Sequence, residues 1–313
     1  MSAEERRDEV TLTNLDEPLF EGAGATKRDL VNYLDTMADR IIPELRDRPL
    51  SVIRVVRGQP PFMQKNVPSY TPSWVQTAAL WAEASKREVR YALCNDRRTL
   101  LWFANQRAVE YHPTLVRADN WAEPTHMVLD LDPPDAPKAF ALAVRAARLI
   151  RQTLADAGLT GAVKTSGAKG LHVFVPIART PAEDAAAAGR AIAARAERLD
   201  PDLATTAFMK EQRGGRVFLD STRTGGATVV AAYSPRIRPG APVSFPVAWD
   251  ELGSAVPAEF NLHTAPRLLE KRPSWADLLP DAQAVDRALI EEGHAVPIAR
   301  VQAMHEGRRR ARK

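Results

Sequence analysis

Several features that define common protein classes are missing from this sequence. Its 313 residues include a single cysteine, Cys94, which excludes an intrachain disulfide framework and a cysteine-rich metal cluster. No charge-free apolar run reaches the length of about 18 residues that a membrane span needs. The first residues, MSAEERRDEV, carry charges where a signal peptide would be apolar. These absences predict a soluble protein of a reducing compartment, the cytoplasm.

Charge of neither sign dominates the composition. The 43 Lys and Arg residues against 39 Asp and Glu leave a net charge of +4, an excess too small to predict a nucleic-acid partner by itself. The bias toward Arg is nevertheless compatible with phosphate contacts. A hydrophobic fraction of 45% and a charged fraction of 26% are ordinary for globular proteins, so a wholly disordered or collagen-like chain is excluded. The sequence also shows no internal repeat of the kind that predicts a solenoid.

Strands and helices are mixed in the first third of the chain. From Thr26, a predicted N-cap, apolar residues recur at helical spacing, at Leu30, Leu34, Met37 and Ile41. The run LSVIRVVR predicts a strand, and SWVQTAALWA with REVRYALC predicts a hairpin across Ser85. DRRTLLWFANQ predicts a short helix before the β-like segment AVEYHP. This part therefore predicts a mixed α/β protein.

The middle of the chain is the most regular. THMVLDLD predicts a strand, followed by a helix from Ala136 to about Ala157. GAVKTS and LHVFVPI predict two strands joined by a tight loop at residues 167–170, and AEDAAAAGRAIAARAERL predicts a second long helix. RVFLD and ATVVAAYS predict two further strands. After about Arg272 the composition predicts one or two helices and a basic C-terminal end.

Three acids are candidates for chemistry. Alternation along THMVLDLD places Asp130 and Asp132 on one face of the strand, about 7 Å apart. A divalent cation would relieve their repulsion, and oxygen ligands suit Mg²⁺ or Mn²⁺, although a solvated strand end is an equal alternative for this motif alone. Asp220 ends the strand RVFLD in the same way. If it lies beside the other two, the three carboxylates could hold two metal ions for phosphoryl or nucleotidyl transfer.

The loop TSGAKGLH contains residue types that bind phosphate. Gly167 and Gly170 allow close backbone approach, Ser166 and Lys169 offer donors, and His172 begins the next strand. The loop lacks the residue order of a Walker A motif, which argues against a P-loop NTPase. A simple hairpin turn is the alternative interpretation.

Arginines are frequent after the third acid. Arg223, Arg236 and Arg238 could hold a polyphosphate through bidentate contacts, or they could line a solvated loop face. His112, in EYHP, is by itself most simply interpreted as a structural histidine at a strand end.

In order and spacing, these segments resemble a known family. HMVLDLDPP, KTSGAKGLHVFVPI, GGRVFLDSTR and AAYSPRIRPGAPVSFPVAWDEL closely resemble the polymerase domain of bacterial ligase D, the end-joining ligase, within the archaeo-eukaryotic primase superfamily. LTNLDEPLF, ATKRDLVNYLD, RPLSVIRVVRG and PFMQKNV resemble the N-terminal half of that domain. The resemblance covers roughly residues 10–272, and no ligase or nuclease module fits on this chain. It therefore resembles a stand-alone primase-polymerase.

The resemblance implies a fold and a set of site residues. The fold is of the α+β (mixed α/β) class, with a primase-type catalytic core and an RRM-like sheet. Composition along the chain predicts an N-terminal arm at 1–22 and a helical, basic tail at 273–313, which leaves the catalytic domain at 23–272. Its implied metal-binding catalytic acids are Asp130, Asp132 and Asp220. The residues implied to bind the nucleotide are Ser166, Lys169, His172, Arg223, Arg236 and His112, the last in the family's His-Pro element.

Two positions depart from the family pattern. Asn14 and Lys27 match a pocket for the 5′-phosphate of a gapped or broken end, but Glu17 stands where a second lysine is expected. Its negative charge would repel a phosphate. Phe62-Met63 replaces a pair of aromatics that stack on the template, so only Phe62 retains a stacking face. We therefore expect Asn14, Lys27 and Phe62 to contact DNA, with weak recognition of a 5′-phosphate.

The leading hypothesis is a template-directed nucleotidyltransferase that fills gaps or extends primers in DNA repair, with two Mn²⁺ or Mg²⁺ ions and nucleoside triphosphates as substrates. One alternative is a primase that starts primers de novo. Another is a non-catalytic DNA-binding module that recruits end-joining partners through its basic C-terminal residues. The expected partners are template-primer DNA, a separate ligase and an end-binding protein, with no membrane and with a place at the cytoplasmic nucleoid.

Overall fold

The computed structural model describes residues 4–82 and 86–298. Within these ranges the chain forms thirteen strands and eight α-helices. The strands are β1 (Glu5–Arg7), β2 (Val10–Leu12), β3 (Leu50–Arg54), β4 (Phe62–Gln64), β5 (Thr77–Ala82), β6 (Arg87–Ala92), β7 (Ala108–Pro113), β8 (His126–Asp132), β9 (Ala162–Thr165), β10 (Leu171–Pro176), β11 (Ala204–Thr205), β12 (Val217–Asp220) and β13 (Pro246–Val247). The helices are α1 (Lys27–Thr36), α2 (Ala38–Leu45), α3 (Arg97–Asn105), α4 (Ala139–Asp156), α5 (Ala182–Leu199), α6 (Ala265–Leu269), α7 (Trp275–Leu278) and α8 (Arg287–Ala295).

A six-stranded sheet carries the predicted acids. Its order is β11-β12-β8-β10-β9-β13, and every neighbouring pair is antiparallel except β11 with β12. The Ala-rich helices α4 and α5 pack against each other and against β8, and α8 packs on α5. Close packing of α8 on α5 needs a glycine, because a Cβ at Gly293 would lie 1.8 Å from the carbonyl oxygen of Ala187.

The second large sheet has the order β4-β3-β6-β5, with β7 also paired to β3. The antiparallel register of β3 and β7 sets Ile53 opposite Glu110 and Ser51 opposite His112. A small third sheet joins β1 to β2. The hydrophobic core is continuous through both large sheets. It includes Leu12, Leu15 and Leu19 from the predicted arm, and Trp275 and Leu289 from the predicted tail.

The mixed α/β fold predicted from the sequence is confirmed, as are most of its elements. Thr26 caps α1 with a capping box, in which its hydroxyl accepts the N–H of Asp29 while the Asp29 carboxylate accepts the N–H of Thr26. The expected single helix is divided at Met37 into α1 and α2, because the backbone of Met37 departs from helical angles. The predicted hairpin is present as β5 and β6, although its turn at residues 83–85 lies outside the described residues.

The predicted strand in ATVVAAYS is wrong. The segment 227–234 runs beside β7, and the N–H groups of Val229 and Ala231 donate to the carbonyl oxygens of Pro113 and Tyr111. It forms no regular strand there, and its bridge from Thr228 to Thr114 lies just past the end of β7. A regular ladder is prevented because the N–H of Tyr111 donates to the Ser234 hydroxyl rather than to a backbone carbonyl. Tyr233 also has a positive φ of 68°, which turns the chain out of the strand direction.

The predicted basic cluster of the tail, Arg308, Arg309, Arg310, Arg312 and Lys313, lies outside the described residues. Among the helices that the structure does describe, none combines the length and the apolar character needed to cross a membrane.

Candidate active site

The three predicted acids meet through the register of two antiparallel strands. Asp220, the last residue of β12, lies opposite Asp130 of β8, and Phe218 lies opposite Asp132. Because β8 and β12 run in opposite directions, their carboxyl ends lie at opposite edges of the sheet. The acids are neighbours only because β12 stops opposite the third-last residue of β8. Asp132 follows on the same face of β8, so three carboxylates share one region of the sheet.

A positive side chain lies between two of these acids. The guanidinium of Arg223, on the 3₁₀ turn Thr222–Gly225, lies 3.1 Å from Asp130 and 3.5 Å from Asp220. Asp130 is also 3.4 Å from Nε2 of His172. Burial alone would raise the pKa of Asp130, but His172 and Arg223 outweigh it and hold this pKa well below its ordinary value. Asp130 is therefore ionised at neutral pH, with Arg223 as one of its partners.

Two further cations neutralise Asp132. Arg213 donates from Nη1 to its carboxylate at 2.9 Å, and Nζ of Lys169 lies 3.5 Å from the other oxygen. The guanidinium of Arg213 also stacks over the ring of Phe218, 4.0 Å from the ring centre, and this contact helps to orient the guanidinium. Sequence reasoning missed Arg213, because it belongs to an irregular segment before β12 whose path toward the acids has no local signature.

The glycine loop packs tightly against its neighbours at both glycines, against β8 at Gly170 and against Arg236 at Gly167. A Cβ at Gly170 would lie 2.2 Å from the carbonyl oxygen of Leu131, so only glycine allows this approach. Gly167 has a φ of +68°, and a Cβ there would lie 2.5 Å from Cγ of Arg236. The hydroxyl of Ser166 accepts the N–H of Gly170 at 3.3 Å, which closes the loop on itself. Arg236 in turn donates to the carbonyl oxygen of Ser166. Loop and arginine are thus fixed together.

His172 is held between a lysine and an acid. On β10 it lies opposite Asp130 of β8 and opposite Lys164 of β9. Nζ of Lys164 is 2.8 Å from Nδ1 of His172 and donates to the hydroxyl of Ser244 at 2.7 Å. Burial lowers the pKa of Lys164 well below its ordinary value, and burial together with the charge of Lys164 lowers that of His172 to about 4. Lys164 was not predicted as a site residue. A lysine in the otherwise apolar strand GAVKTS, next to the strand that carries His172, is nevertheless a signal in the sequence.

His112 lies on β7, the strand that brings the second sheet to the site. Its Nε2 is 2.8 Å from a carboxylate oxygen of Glu110, which shares its strand face. Burial lowers the pKa of His112, and the hydrogen bond with Glu110 opposes that shift. The sequence signal for Glu110 is its position two residues before His112.

All nine residues predicted for catalysis and nucleotide binding line one cleft. Its volume is about 890 Å³. The nine are His112, Asp130, Asp132, Ser166, Lys169, His172, Asp220, Arg223 and Arg236. Carboxylates and cations thus share a space large enough for a nucleoside triphosphate. We call this space the catalytic cleft.

The residues predicted to contact a 5′-phosphate lie elsewhere. Lys27 is buried, and its Nζ donates to the carbonyl oxygen of Thr13 at 2.6 Å and to Oδ1 of Asn105 at 2.7 Å. Burial, together with the charge of Arg107, lowers the pKa of Lys27 to about 8. Glu17 is ion-paired with Arg107 at 3.3 Å. The ammonium of Lys27 is therefore directed into the protein in this structure.

The other predicted DNA contacts are exposed. Asn14 is at the surface with a positive φ of 53°. Phe62 lies on β4 with 37% of its surface exposed, and the guanidinium of Arg54 lies 5.7 Å from its ring centre. A second cleft of about 800 Å³, which we call the N-terminal cleft, is lined by residues 17–21 and 55–59 with Pro61, Arg107 and Ile237. None of the three predicted DNA contacts lines the catalytic cleft.

The donor set fits divalent metal ions in chemistry. Carboxylate oxygens are the ligands that Mg²⁺ and Mn²⁺ prefer, and Arg223 already places a positive group between Asp130 and Asp220. Within residues 4–82 and 86–298, no three Asp, Glu, His or Cys side chains converge on one point. An ion at the acids would therefore share its coordination with water or substrate oxygens and would require Arg223 to move.

Comparison with known proteins places these features in a family. The family model for the LigD primase-polymerase domain matches residues 26–276. The bifunctional non-homologous end joining protein LigD of Bacillus subtilis is 31% identical over 269 residues, which are 84% of this chain and 43% of the relative. The multifunctional non-homologous end joining DNA repair protein LigD of Mycobacterium tuberculosis is 34% identical over 80% of this chain and 34% of the relative.

A solved structure agrees with these matches. The polymerase domain of Mycobacterium tuberculosis ligase D in complex with DNA has a TM-score of 0.78 and 30% identity, and the match covers 88% of this chain and 98% of that one. The chain thus spans less than half the length of the full-length LigD relatives described above. Residues 26–276, which the family model matches, include both large sheets, the glycine loop and all three acids. The chain therefore belongs to the family of the LigD primase-polymerase domain, a family of DNA-directed nucleotidyltransferases.

Proposed function

We propose that this protein adds nucleotides to the 3′ end of a DNA primer, directed by a template strand. The observation that carries the proposal is the catalytic cleft, in which Asp130, Asp132 and Asp220 lie on adjacent strands and face cationic donors for a triphosphate. Acids and cations in one cleft suit a reaction that transfers a charged phosphoryl group between oxygen atoms. Gap filling and end extension in DNA repair are the settings in which we expect it, at the cytoplasmic nucleoid.

Each group of residues has a task in this proposal. Asp130, Asp132 and Asp220 would hold two divalent ions, Mn²⁺ or Mg²⁺, which neutralise the developing charge on the phosphates when bound. Lys169 and Arg236 would bind the triphosphate, and the glycine loop would place Ser166 against it. These contacts fix the α-phosphate in line with the primer hydroxyl, which removes most of the entropic cost of the reaction.

Other residues complete the proposed site. Arg223 would leave its ion pairs with Asp130 and Asp220 and bind the triphosphate. His172, on the six-stranded sheet, and His112, on the second large sheet, would both contact the nucleotide. Phe62, exposed on β4, would stack on the template strand, and Asn14 would contact the backbone of the DNA. A separate ligase and an end-binding protein are the proposed partners.

De novo priming is a second candidate that one observation favours. Lys27 is enclosed and Glu17 is paired with Arg107, so this structure presents no cationic pocket built from positions 14, 17 and 27. An enzyme that does not anchor a 5′-phosphate is less specialised for gapped or broken ends. A non-catalytic DNA-binding module is the third candidate, and the intact set of acids argues against it.

A single assay panel tests the proposal. Labelled ribonucleotides and deoxynucleotides are offered with gapped, recessed and unprimed DNA, in Mn²⁺, in Mg²⁺ and with a chelator. We expect template-directed incorporation on primed DNA that the chelator abolishes. Products on unprimed template would favour the primase instead, and DNA binding without incorporation in either metal would favour the non-catalytic module.

A further inference from the structure

Glu110 is a buried carboxylate that the proposed reaction leaves without a task. It lies on β7 with 4% of its surface exposed. A buried charge is costly unless it is paired and hydrogen-bonded, so its partners indicate why it is there. Those partners come from two separate parts of the chain.

The carboxylate of Glu110 contacts two residues predicted to bind the nucleotide, His112 and Arg236. Oε2 is 2.8 Å from Nε2 of His112 and 3.0 Å from Nε of Arg236, while Oε1 accepts the N–H of Ile237 at 2.8 Å. Burial would raise the pKa of Glu110, but the hydrogen bond with His112, the charge of Arg236 and the N–H of Ile237 together lower it to about 2. Glu110 is therefore ionised, and both of its carboxylate oxygens have partners within the protein.

Arg236 is fixed at two points as a result. It donates to the carbonyl oxygen of Ser166 in the glycine loop and pairs with Glu110 on β7. A guanidinium has five N–H donors, so these two contacts leave donors that can meet phosphate oxygens. The side chain thus spans from one sheet to the other with its plane already set.

We infer that Glu110 is a positioning residue for nucleotide binding: its carboxylate orients Arg236 and His112 before the triphosphate arrives. The inference rests on the proposed function, since it assigns the triphosphate to the catalytic cleft. Direct contact with the triphosphate is excluded because two negative groups repel. Glu110 acts through its partners, and a preset arginine loses less conformational freedom when the nucleotide binds.

Glu110→Gln is the main test, because it keeps the shape of the side chain and removes its charge. The amide of glutamine also replaces one of the two acceptor oxygens with an NH2 donor, so it faces either Arg236 or the N–H of Ile237 with a donor and disturbs the network. We expect the KM for the nucleotide to rise about tenfold, the size of one charged hydrogen bond, with kcat within about threefold. The dissociation constant of inorganic tripolyphosphate, measured by calorimetry, should rise by the same factor, and that of primed DNA should not change.

Glu292→Gln is the matched control. Glu292 is likewise an acid paired with arginines, with Arg195 at 2.6 Å and Arg198 at 2.9 Å, but it lies on α8 away from the cleft. Its variant should retain the wild-type KM. Combining Glu110→Gln with Arg236→Ala separates positioning from a general structural effect: the double variant should bind tripolyphosphate no more weakly than Arg236→Ala alone.

An unchanged KM and tripolyphosphate affinity in Glu110→Gln, or fully additive losses in the double variant, would overturn the inference. If Glu110→Gln does not fold, Glu110→Asp replaces it, since the shorter acid cannot reach both partners; weaker tripolyphosphate binding supports the inference and wild-type binding overturns it. Calorimetry also separates the two proposals. Tripolyphosphate binding that depends on Glu110, in a protein that incorporates no nucleotide, would contradict the proposed function and leave the positioning of Arg236 intact.

Discussion

Two lysines predicted to bind phosphates lie in opposite environments in this structure. Lys169, in the glycine loop, lies at the catalytic cleft with 37% of its side chain exposed and pairs with Asp132 and Asp135. Lys27, at the start of α1, is buried and donates to Thr13 and Asn105. The residue type is the same, but burial and partners decide whether the charge faces a ligand or the protein interior.

The same contrast separates the two clefts. In the catalytic cleft, Lys169, Arg213 and Arg223 are paired with the acids that we propose as metal ligands, so metal binding would release their donors to a nucleotide. In the N-terminal cleft, Arg107 donates to Glu17 and to the backbone carbonyls of Val55, Pro18 and Leu19, a set that ties the chain together. Arg107, which holds three backbone carbonyls besides one carboxylate, is therefore part of the fold, whereas the cations that face the three acids have partners that a bound metal ion would compete for.

The largest expected effect tests the catalytic cleft directly. Asp130→Ala or Asp220→Ala should lower incorporation by about a thousandfold or more, because each removes a carboxylate proposed to hold the divalent ions. Asp135→Ala is the control: Asp135 also pairs with Lys169, but its side chain is 88% exposed and lies beyond the strand. Primer extension measures all three. Normal incorporation by either of the first two variants would make the proposed mechanism wrong.

Arg236→Ala should have the next largest effect. Loss of a charge-assisted contact to phosphate should raise the KM for the nucleotide about tenfold to a hundredfold, with a smaller change in DNA affinity. Arg267→Ala provides the comparison, because Arg267 is exposed on α6 and does not line the catalytic cleft. Steady-state kinetics with saturating DNA would show the difference, and equal KM values for the two variants would contradict the placement of the triphosphate.

Glu17→Lys should sharpen the contrast between the clefts. The change places a lysine where the family pattern implied one and frees Arg107 from its ion pair with position 17. The preference for gapped DNA with a 5′-phosphate over gapped DNA without one should therefore rise about threefold to tenfold at low salt. Titrations at two salt concentrations would measure it. Glu21→Lys makes the same charge change in the same cleft and should raise the affinity for both DNAs equally. A wild-type protein that already prefers the 5′-phosphate strongly would contradict our interpretation.

The smallest expected effect concerns stability and pH. The pKa of Lys27 is lowered from 10.5 to about 8 in the folded protein, so between these values the folded state binds fewer protons than the unfolded state. The free energy of unfolding of the wild type, relative to Lys27→Met, should therefore rise as the pH increases from 8 to 10. Denaturant titrations of both proteins would show this. A difference that stays flat over that range would contradict the enclosed position of Lys27.

Much of the fold could be predicted because local patterns carry it. Thr26 caps α1 through side-chain oxygens three residues apart, and the alternation in THMVLDLD is itself the strand β8. The prediction fails in ATVVAAYS, where a β-like composition meets Ser234, whose hydroxyl takes the N–H of Tyr111. That competition comes from a residue about 120 positions away in the chain, so no window of sequence contains it.

The site follows the same division. Its residue types and their order along the chain can be read from the sequence. Each motif alone has a structural alternative, so it was the combination of acids at strand ends, a glycine loop and arginines that indicated a site. The meeting of Asp220 with Asp130 depends on where β12 stops against an antiparallel neighbour. Arg213, Lys164 and Glu110 were missed because their importance lies in contacts with distant residues.

The sequence by itself determined the mixed α/β fold, the acids, the glycine loop and the family to which they belong. Only the tertiary structure decided which charges face a ligand. It turned Lys27 inward, set Arg223 between two acids and bound Arg236 to Glu110. The physical reason is that a charge is stabilised by whatever lies within a few ångströms of it, and in a folded chain those neighbours are set by packing and strand register rather than by position in the sequence.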